Sequence, residues 1–287
     1  MYREVKVKTL LSTVKGDDPI FGLKYNLNLY RGCEHQCIYC DSRSLCYGIE
    51  NFRDVLVKIN AIDLLIKELA SKKIKGTVGF GSMSDPYTPA ELKYGLTRSA
   101  LGVLARRGFP AHLNTKSVLI ERDLSLLEEV NRVHCSVCFS ITTTDDALAR
   151  KVEPGAPPSS ARFQTMRKLA ERGIHVGVSM MPILPFLEDS PENISAIAEQ
   201  TAAHGGTFII PWFGMSLRDR QREYFYEQLD RLFPGLREKY AARYGERYEA
   251  SVPNARALGD VFTEACRKYH LDTRVKRYQP ARQMALW

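Results

Sequence analysis

Six short apolar, β-branched runs recur along the 287-residue chain with amphipathic stretches between them, and this alternation restricts the fold more than any other feature. Strands that each return through a helix line up in parallel, so the pattern predicts an α/β fold built on a parallel sheet or barrel. The runs begin near Asn26 (NLNLYRG), Thr77 (TVGFGSMS), Ala111 (AHLNTKS), Val133 (VHCSVCFSITT), Ile174 (IHVGVSMMPILP) and Thr207 (TFIIPW). Gly76, Gly108, Gly173 and Gly206 each stand just before one, as suits a helix end that turns into a strand. Ile62, Leu65, Ile66 and Leu69 fall at helical spacing behind Asn60 as an N-cap, and Leu96, Ala100 and Leu104 form a second stripe. Phe163, Met166, Leu169 and Ala170 follow Pro157-Pro158-Ser159, and Ser190-Pro191-Glu192 opens a fourth helix.

After Trp212 the texture changes to charged, Tyr-rich sequence with helical period and no strong strand. The chain therefore divides into an N-terminal extension (1–25), a βα region (26–212) and a helical, basic C-terminal extension (213–287). Residues 213–287 hold 15 Lys+Arg against 10 Asp+Glu, so this quarter carries +5 of the net +8. Arg274, Lys276, Arg277 and Arg282 make its densest run, which reads either as a solvated face or as a surface that contacts phosphates. The N-terminus, MYREVKVKTLLSTVKGDD, lacks the apolar core of a secretory signal, and no apolar run is long enough to span a bilayer. A cytoplasmic protein without a membrane partner is expected.

Seven cysteines are too few for a disulfide scaffold in a chain of this length, and three of them crowd into LYRGCEHQCIYCDSR. The spacing of Cys33, Cys37 and Cys40 lets one loop wrap one polynuclear centre, and Gly32 lets the strand break sharply before it. Zinc ribbons need two separated cysteine pairs, and no second pair is suitably placed. With Cys46 as a fourth thiolate the site would be closed and structural or electron-transferring; without it, a 4Fe–4S cube would keep one iron open. His35, inside the loop, is a possible ligand by residue type, but a residue spaced between Cys33 and Cys37 is expected to point to solvent.

The Cys-x3-Cys-x2-Cys loop, with Tyr39 one residue before its third cysteine and a six-unit βα series around it, resembles the radical S-adenosylmethionine (SAM) superfamily. That resemblance implies a partial (β/α)6 barrel of TIM type, with the site at the C-terminal ends of the strands. It also implies a 4Fe–4S cluster on Cys33, Cys37 and Cys40, SAM on the open iron close to Tyr39, and an electron donor such as flavodoxin or ferredoxin. Cleavage of SAM would yield methionine and a 5′-deoxyadenosyl radical that abstracts hydrogen. FGSMSDPYTPAE resembles the Ser-Asp-Pro segment of the spore photoproduct lyase-like family, as do VKINAIDLL, LTRSALGVLARRG, LNTKS, FSITTTDD and VEPGAPPSSARFQTMRKLAERGIHVGV, over roughly residues 25–215. Carried over position by position, the likeness brings Ser84, Asp85, Lys116 and Ser140 to SAM or substrate. Lys116 can neutralise the methionyl carboxylate and Asp85 can accept from the ammonium. Glu153 either contacts the ribose or pairs with Arg162.

One position departs from the family pattern. Spore photoproduct lyase has a hydrogen-donating cysteine two residues before that serine, and Ser82 stands there in this chain. A hydroxyl is a far poorer hydrogen-atom donor than a thiol, which speaks against repair of a thymine dimer by that route. Cys46 is then the expected substitute donor and Tyr87 a weaker radical relay, while Cys135, Cys138 and Cys266 are expected in the core. Three functions follow: a radical SAM enzyme acting on DNA or RNA, one that modifies a peptide or small metabolite, or a non-catalytic cluster module closed by Cys46.

Overall fold

The computed structural model describes residues 1–49, 51–52 and 54–280 and turns each of the six apolar runs into a strand. In chain order the first half is β1 (Tyr2–Val5), β2 (Leu11–Thr13), β3 (Leu23–Leu27), β4 (Tyr30–Arg31), β5 (Val55–Lys58), α1 (Ala61–Ala70), β6 (Thr77–Phe80), α2 (Ala90–Tyr94), α3 (Leu96–Arg107), β7 (Ala111–Thr115) and α4 (Leu124–Asn131). The alternation continues through β8 (Cys135–Ser140), α5 (Asp146–Val152), α6 (Ser159–Glu171), β9 (His175–Met180), α7 (Pro191–Ala203) and β10 (Phe208–Pro211). The main sheet has the order β10-β9-β8-β7-β6-β3-β2, parallel except for β2 at one edge, and its two ends are not joined among the described residues. This open parallel sheet is the partial barrel expected from the sequence.

Period-2 alternation decides what each strand shows to each side. In β8, Cys135, Val137 and Phe139 join the core beneath the helices, whereas Cys138 turns the other way onto Phe208, Ile210 and Val275. Leu65, Leu101, Leu104, Met166, Leu169, Ile194 and Ile197 lie in that core with no exposed surface. Each such side chain contributes ~1.5–3 kcal/mol by leaving water, so the helical stripes hold the helices on the sheet. Ser190 caps α7 by accepting from the Asn193 amide, as its sequence suggests. Asn60 stands at the N-cap of α1 without capping it; its side chain bonds both backbone groups of Val7 instead, at 3.0 and 2.9 Å.

The N-terminal stretch is woven into the fold. β1 pairs with β5 in parallel, β2 pairs with β3, and Glu68 of α1 accepts from the amides of Leu10 and Leu11. The first barrel strand accordingly begins at Leu23, not Asn26. The C-terminal quarter also differs from its strandless expectation: β11 (Gly214–Ser216) and β12 (Glu249–Ser251) pair antiparallel around α8 (Asp219–Leu232) and α9 (Leu236–Tyr244). Phe225, Leu229, Tyr240 and Tyr244 of α8 and α9 form a second core with Ile38 and Tyr39 of the cysteine loop. α10 (Ala255–Tyr269) packs on α7 and puts Leu258, Phe262 and Cys266 into the main core.

The tail after α10 crosses the N-terminal ends of the strands. Asp272 exchanges backbone bonds with Thr207 and Ile209, the Lys276 amide donates to His175 Nε2 at 3.2 Å, and Arg277 pairs with Asp17 at 3.0 Å. Arg274, Lys276 and Arg277 are thus held at the end of the barrel away from the C-terminal strand ends; Arg282 lies outside the described residues. No helix among the described residues is long and apolar enough to cross a membrane.

Candidate active site

A cavity of about 340 Å³ opens at the C-terminal ends of the strands, where a barrel gathers its loops. One wall is Cys33, Cys37, Tyr39 and Cys40; facing residues come from just after β6 (Ser82, Ser84, Asp85), the end of β7 and the residue after it (Asn114, Thr115, Lys116), β8 (Ser140) and just after β10 (Trp212).

The cysteine loop is held by close backbone approach. Gly32 takes φ 89°, and a Cβ there would sit 2.5 Å from the Asp54 carbonyl oxygen, so only glycine lets the chain turn from β4 into the loop. The segment after α5 clamps the loop from the other side. Ile38 N–H donates to the Val152 carbonyl and Gly155 N–H to the His35 carbonyl, both at 2.9 Å, and a Cβ on Gly155 would come within 2.1 Å of the Glu34 carbonyl oxygen. From α8, Gln221 Nε2 donates to the Tyr39 carbonyl at 3.1 Å.

The donor set suits an iron–sulfur cluster. Burial pushes the Cys33 thiol up to about 12 and raises Cys37 and Cys40 as well, so these sulfurs stay neutral thiols unless a metal takes the proton's place. Among the described residues no three His, Cys, Asp or Glu side chains converge on one ion; thiolates that each take a different iron of a cube stand farther apart than ligands of one ion. Across the cavity the Ser84 hydroxyl is buried with no hydrogen-bond partner, which leaves it open to a polar ligand group.

Asp85 organises this wall. Its carboxylate accepts from Thr115 Oγ1 at 2.6 Å, Lys116 N at 2.7 Å and Tyr87 N at 2.8 Å, and lies 3.1 Å from His35 Nε2. Burial would raise its pKa, but His35 and these hydrogen bonds outweigh burial and hold it at about 2. Three hydrogen bonds and the facing His35 ring hold this carboxylate, so Asp85 positions its neighbours on the wall. His35 is correspondingly buried, not solvent-facing, because Gln36 at φ 52° turns the loop inward and Gly155 O lies 3.2 Å from His35 Nδ1.

Lys116 lines the cavity with its ammonium 3.7 Å from Glu153. Burial would lower its pKa, but Cys37, once it is a thiolate, and Glu153 outweigh burial and raise it. Glu153 itself lies behind the cysteine loop: it accepts from the Tyr39 hydroxyl and pairs with Arg162 at 2.5 Å, both ion-pair side chains 1% exposed. The geometry gives Glu153 the pairing role, and its side chain is not among those that line the cavity. Arg162 also donates to the carbonyls of Pro157 and Ser140, both at 2.8 Å, which ties β8 to the clamp. Ser140 Oγ donates to Asn114 Oδ1 at 3.1 Å on the cavity wall.

Two expected residues are not brought to the cavity. Cys46 is exposed, with its sulfur 3.6 Å from an Arg218 nitrogen, outside the lining. The side chain of Tyr87 is fully buried and donates to Asp123 at 3.2 Å, away from the site. Cys135, Cys138 and Cys266 are buried, and burial raises all three thiols. Sequence reasoning missed the inward turn of His35 and the lining residues Asn114 and Trp212. The His35 contact was beyond its reach, because nothing local shows residue 35 meeting residue 155.

Glu188, buried near Glu153, accepts from Thr142 Oγ1 at 2.7 Å and Leu184 N at 2.9 Å. Burial, only partly relieved by these bonds, pushes its pKa up from 4.5 to about 8. A folded-state value above the unfolded one gives stability that is full below about pH 4.5 and lost as the pH rises to about 8. Glu188→Gln is expected to flatten chemical-denaturation stability between about pH 5 and 8, removing up to about 1.4 kcal/mol per pH unit. An unchanged slope would rule out a buried neutral carboxyl.

The fold and the thiol-lined cavity agree with comparison to known proteins. The chain belongs to the radical SAM superfamily, whose family model matches residues 27–197; members use a 4Fe–4S cluster and SAM. It is 34% identical over 251 residues to an uncharacterised protein of Mycobacterium tuberculosis, covering 85% of this chain and 73% of the relative. Spore photoproduct lyase, solved as a mutant with bound AdoMet and dinucleoside spore photoproduct, shares the fold at a TM-score of 0.70 and 16% identity, over 93% of this chain and 78% of that one. A radical SAM Nalpha-GlyT isomerase of Pseudomonas phage M6 is 22% identical over 181 residues, 63% of this chain and 37% of its own length.

Proposed function

We propose that the protein is a radical SAM enzyme that acts on nucleic acid and differs from spore photoproduct lyase in how it finishes the reaction. The observation that carries the reading is one cavity in which three cysteine thiols, buried at Cys37 and half-buried at Cys33 and Cys40, face the unpartnered Ser84 hydroxyl and the Lys116 ammonium. Cys33, Cys37 and Cys40 would hold the cluster, which when bound supplies the electron that cleaves SAM to methionine and a hydrogen-abstracting 5′-deoxyadenosyl radical. Lys116 neutralises the methionyl carboxylate, and Ser84 and Ser140 offer hydroxyls to its polar groups. Asp85 and His35 fix the strand ends on which those groups stand. The Tyr39 ring closes the wall beside them, while the second core of α8 and α9 keeps water from the back of the loop.

Nucleic acid as the substrate class rests on the fold shared with a lyase that binds a dinucleoside. Ser82, which by the sequence likeness takes the place of that family's donor thiol, lines the cavity with its hydroxyl bonded to Asn28 Oδ1 at 3.2 Å. A product radical formed here therefore lacks a thiol donor at that position, and thymine-dimer repair is not the proposed reaction. A flavodoxin- or ferredoxin-type protein supplies the electron. The test is transfer of deuterium into 5′-deoxyadenosine when the reduced, reconstituted protein meets deuterated nucleic acid; absence of label refutes the substrate class.

A further inference from the structure

Among the described residues of the basic tail, Lys276 and Arg277 are fastened beside His175 and Asp17 at the end of the strands opposite the cavity. Three other cations are better placed. Resting on the nucleic-acid reading above, we propose that Arg3, Arg31 and Lys58 form a track for successive backbone phosphates of the substrate, leading to the Ser82 edge of the cavity.

The register of the small sheet β1-β5-β4 carries the argument. Arg3 and Arg31 both stand opposite Leu56, one on each side of β5, and Lys58 follows two residues along the same strand. Residues two apart share a face, so all three cations project from one face, while Val55, Val57 and Tyr30 of the other face are buried. Among the described residues none of the three cations makes an ion pair with a carboxylate; Asp54, just before β5, pairs with the Met1 amino group at 3.5 Å. Burial and then repulsion from Arg31 lower the Lys58 pKa, as expected where cations gather without a counter-charge.

The link to the cavity is direct. Lys58 Nζ donates to the Asn28 carbonyl at 2.5 Å, and the Asn28 side chain accepts from Ser82 Oγ on the cavity rim. Two protons of the ammonium remain for a phosphate. Adjacent strands lie about 4.8 Å apart, so Arg3 and Arg31 are spread over about 10 Å, a span suited to a chain of phosphates more than to one.

The experiment is anisotropy of fluorescein-labelled single-stranded 12-mer DNA and RNA on the cluster-loaded protein with SAM, across a salt series. Arg3→Gln, Arg31→Gln and Lys58→Gln are each expected to weaken binding about fivefold at ~0.1 M salt and to lower the log–log salt slope by about 0.7. Lys58→Arg restores the affinity, and the pair Arg274→Gln, Lys276→Gln leaves it unchanged. Oligonucleotide binding indifferent to the three substitutions overturns the track and leaves the nucleic-acid reading standing. If no oligonucleotide binds but inorganic pyrophosphate does, and the substitutions abolish it, the anion site stands and the nucleic-acid reading falls. Binding of neither overturns both.

Discussion

Cys37→Ser is expected to leave the reconstituted protein nearly without iron and to lower SAM cleavage by more than about 100-fold, beyond the 10- to 100-fold typical of losing an outer-shell partner. Cys37 is the most enclosed of the three thiols, with Lys116 and the Glu153–Arg162 pair nearby and the Ile38 to Val152 backbone bond fixing the residue after it. A serine hydroxyl is a harder and less acidic donor, and the loop, clamped at Gly32 and Gly155, has no freedom to bring another sulfur in. Cys46→Ser is expected to load iron as the unchanged protein does, because that sulfur lies outside the cavity beside Arg218. Iron content and visible absorbance decide the matter. Full loading of Cys37→Ser, or loss of iron from Cys46→Ser, would overturn the assignment of ligands.

Arg162→Met is expected to destabilise the fold by about 3–5 kcal/mol, the usual cost of leaving one partner of a buried ion pair uncompensated. Both side chains of the Glu153–Arg162 pair are 1% exposed, and Arg162 also satisfies the Pro157 and Ser140 carbonyls. Glu153 would keep its charge with only the Tyr39 hydroxyl and the more distant Lys116 ammonium beside it. Adding Glu153→Gln removes the stranded charge, so the double variant is expected to be more stable than Arg162→Met alone. Denaturant midpoints of the two variants test this. A double variant less stable than the single one would show that Glu153 is held by something other than charge.

The βα units and the cysteine loop were legible because both are local patterns: hydrophobic period and thiol spacing survive in one dimension. The strand pairs β1–β5 and β11–β12 were not, since they are three or four residues long and rich in charged or polar side chains such as Arg3, Glu4 and Glu249. Asp85 was found as a site residue, but its setting among His35, Thr115 and two backbone amides depends on three separate segments meeting. Charge density misled in the opposite direction. The C-terminal run is the densest of its quarter of the chain, yet the bridge between Phe208 and Asp272 holds Arg274, Lys276 and Arg277 at the end of the strands away from the cavity. Arg3, Arg31 and Lys58 are scattered in sequence and gathered only by strand register.

The central claim is that a radical generated beside Ser84 and Lys116 takes hydrogen from nucleic acid. It is tested most directly by mass spectrometry of the 5′-deoxyadenosine formed by reduced, cluster-loaded protein and SAM, with deuterated DNA, deuterated RNA or a deuterated peptide and metabolite pool supplied in turn. Deuterium in 5′-deoxyadenosine from a nucleic-acid arm alone is the predicted result. Deuterium from the peptide and metabolite arm alone, or no formation of 5′-deoxyadenosine in any arm, would contradict it.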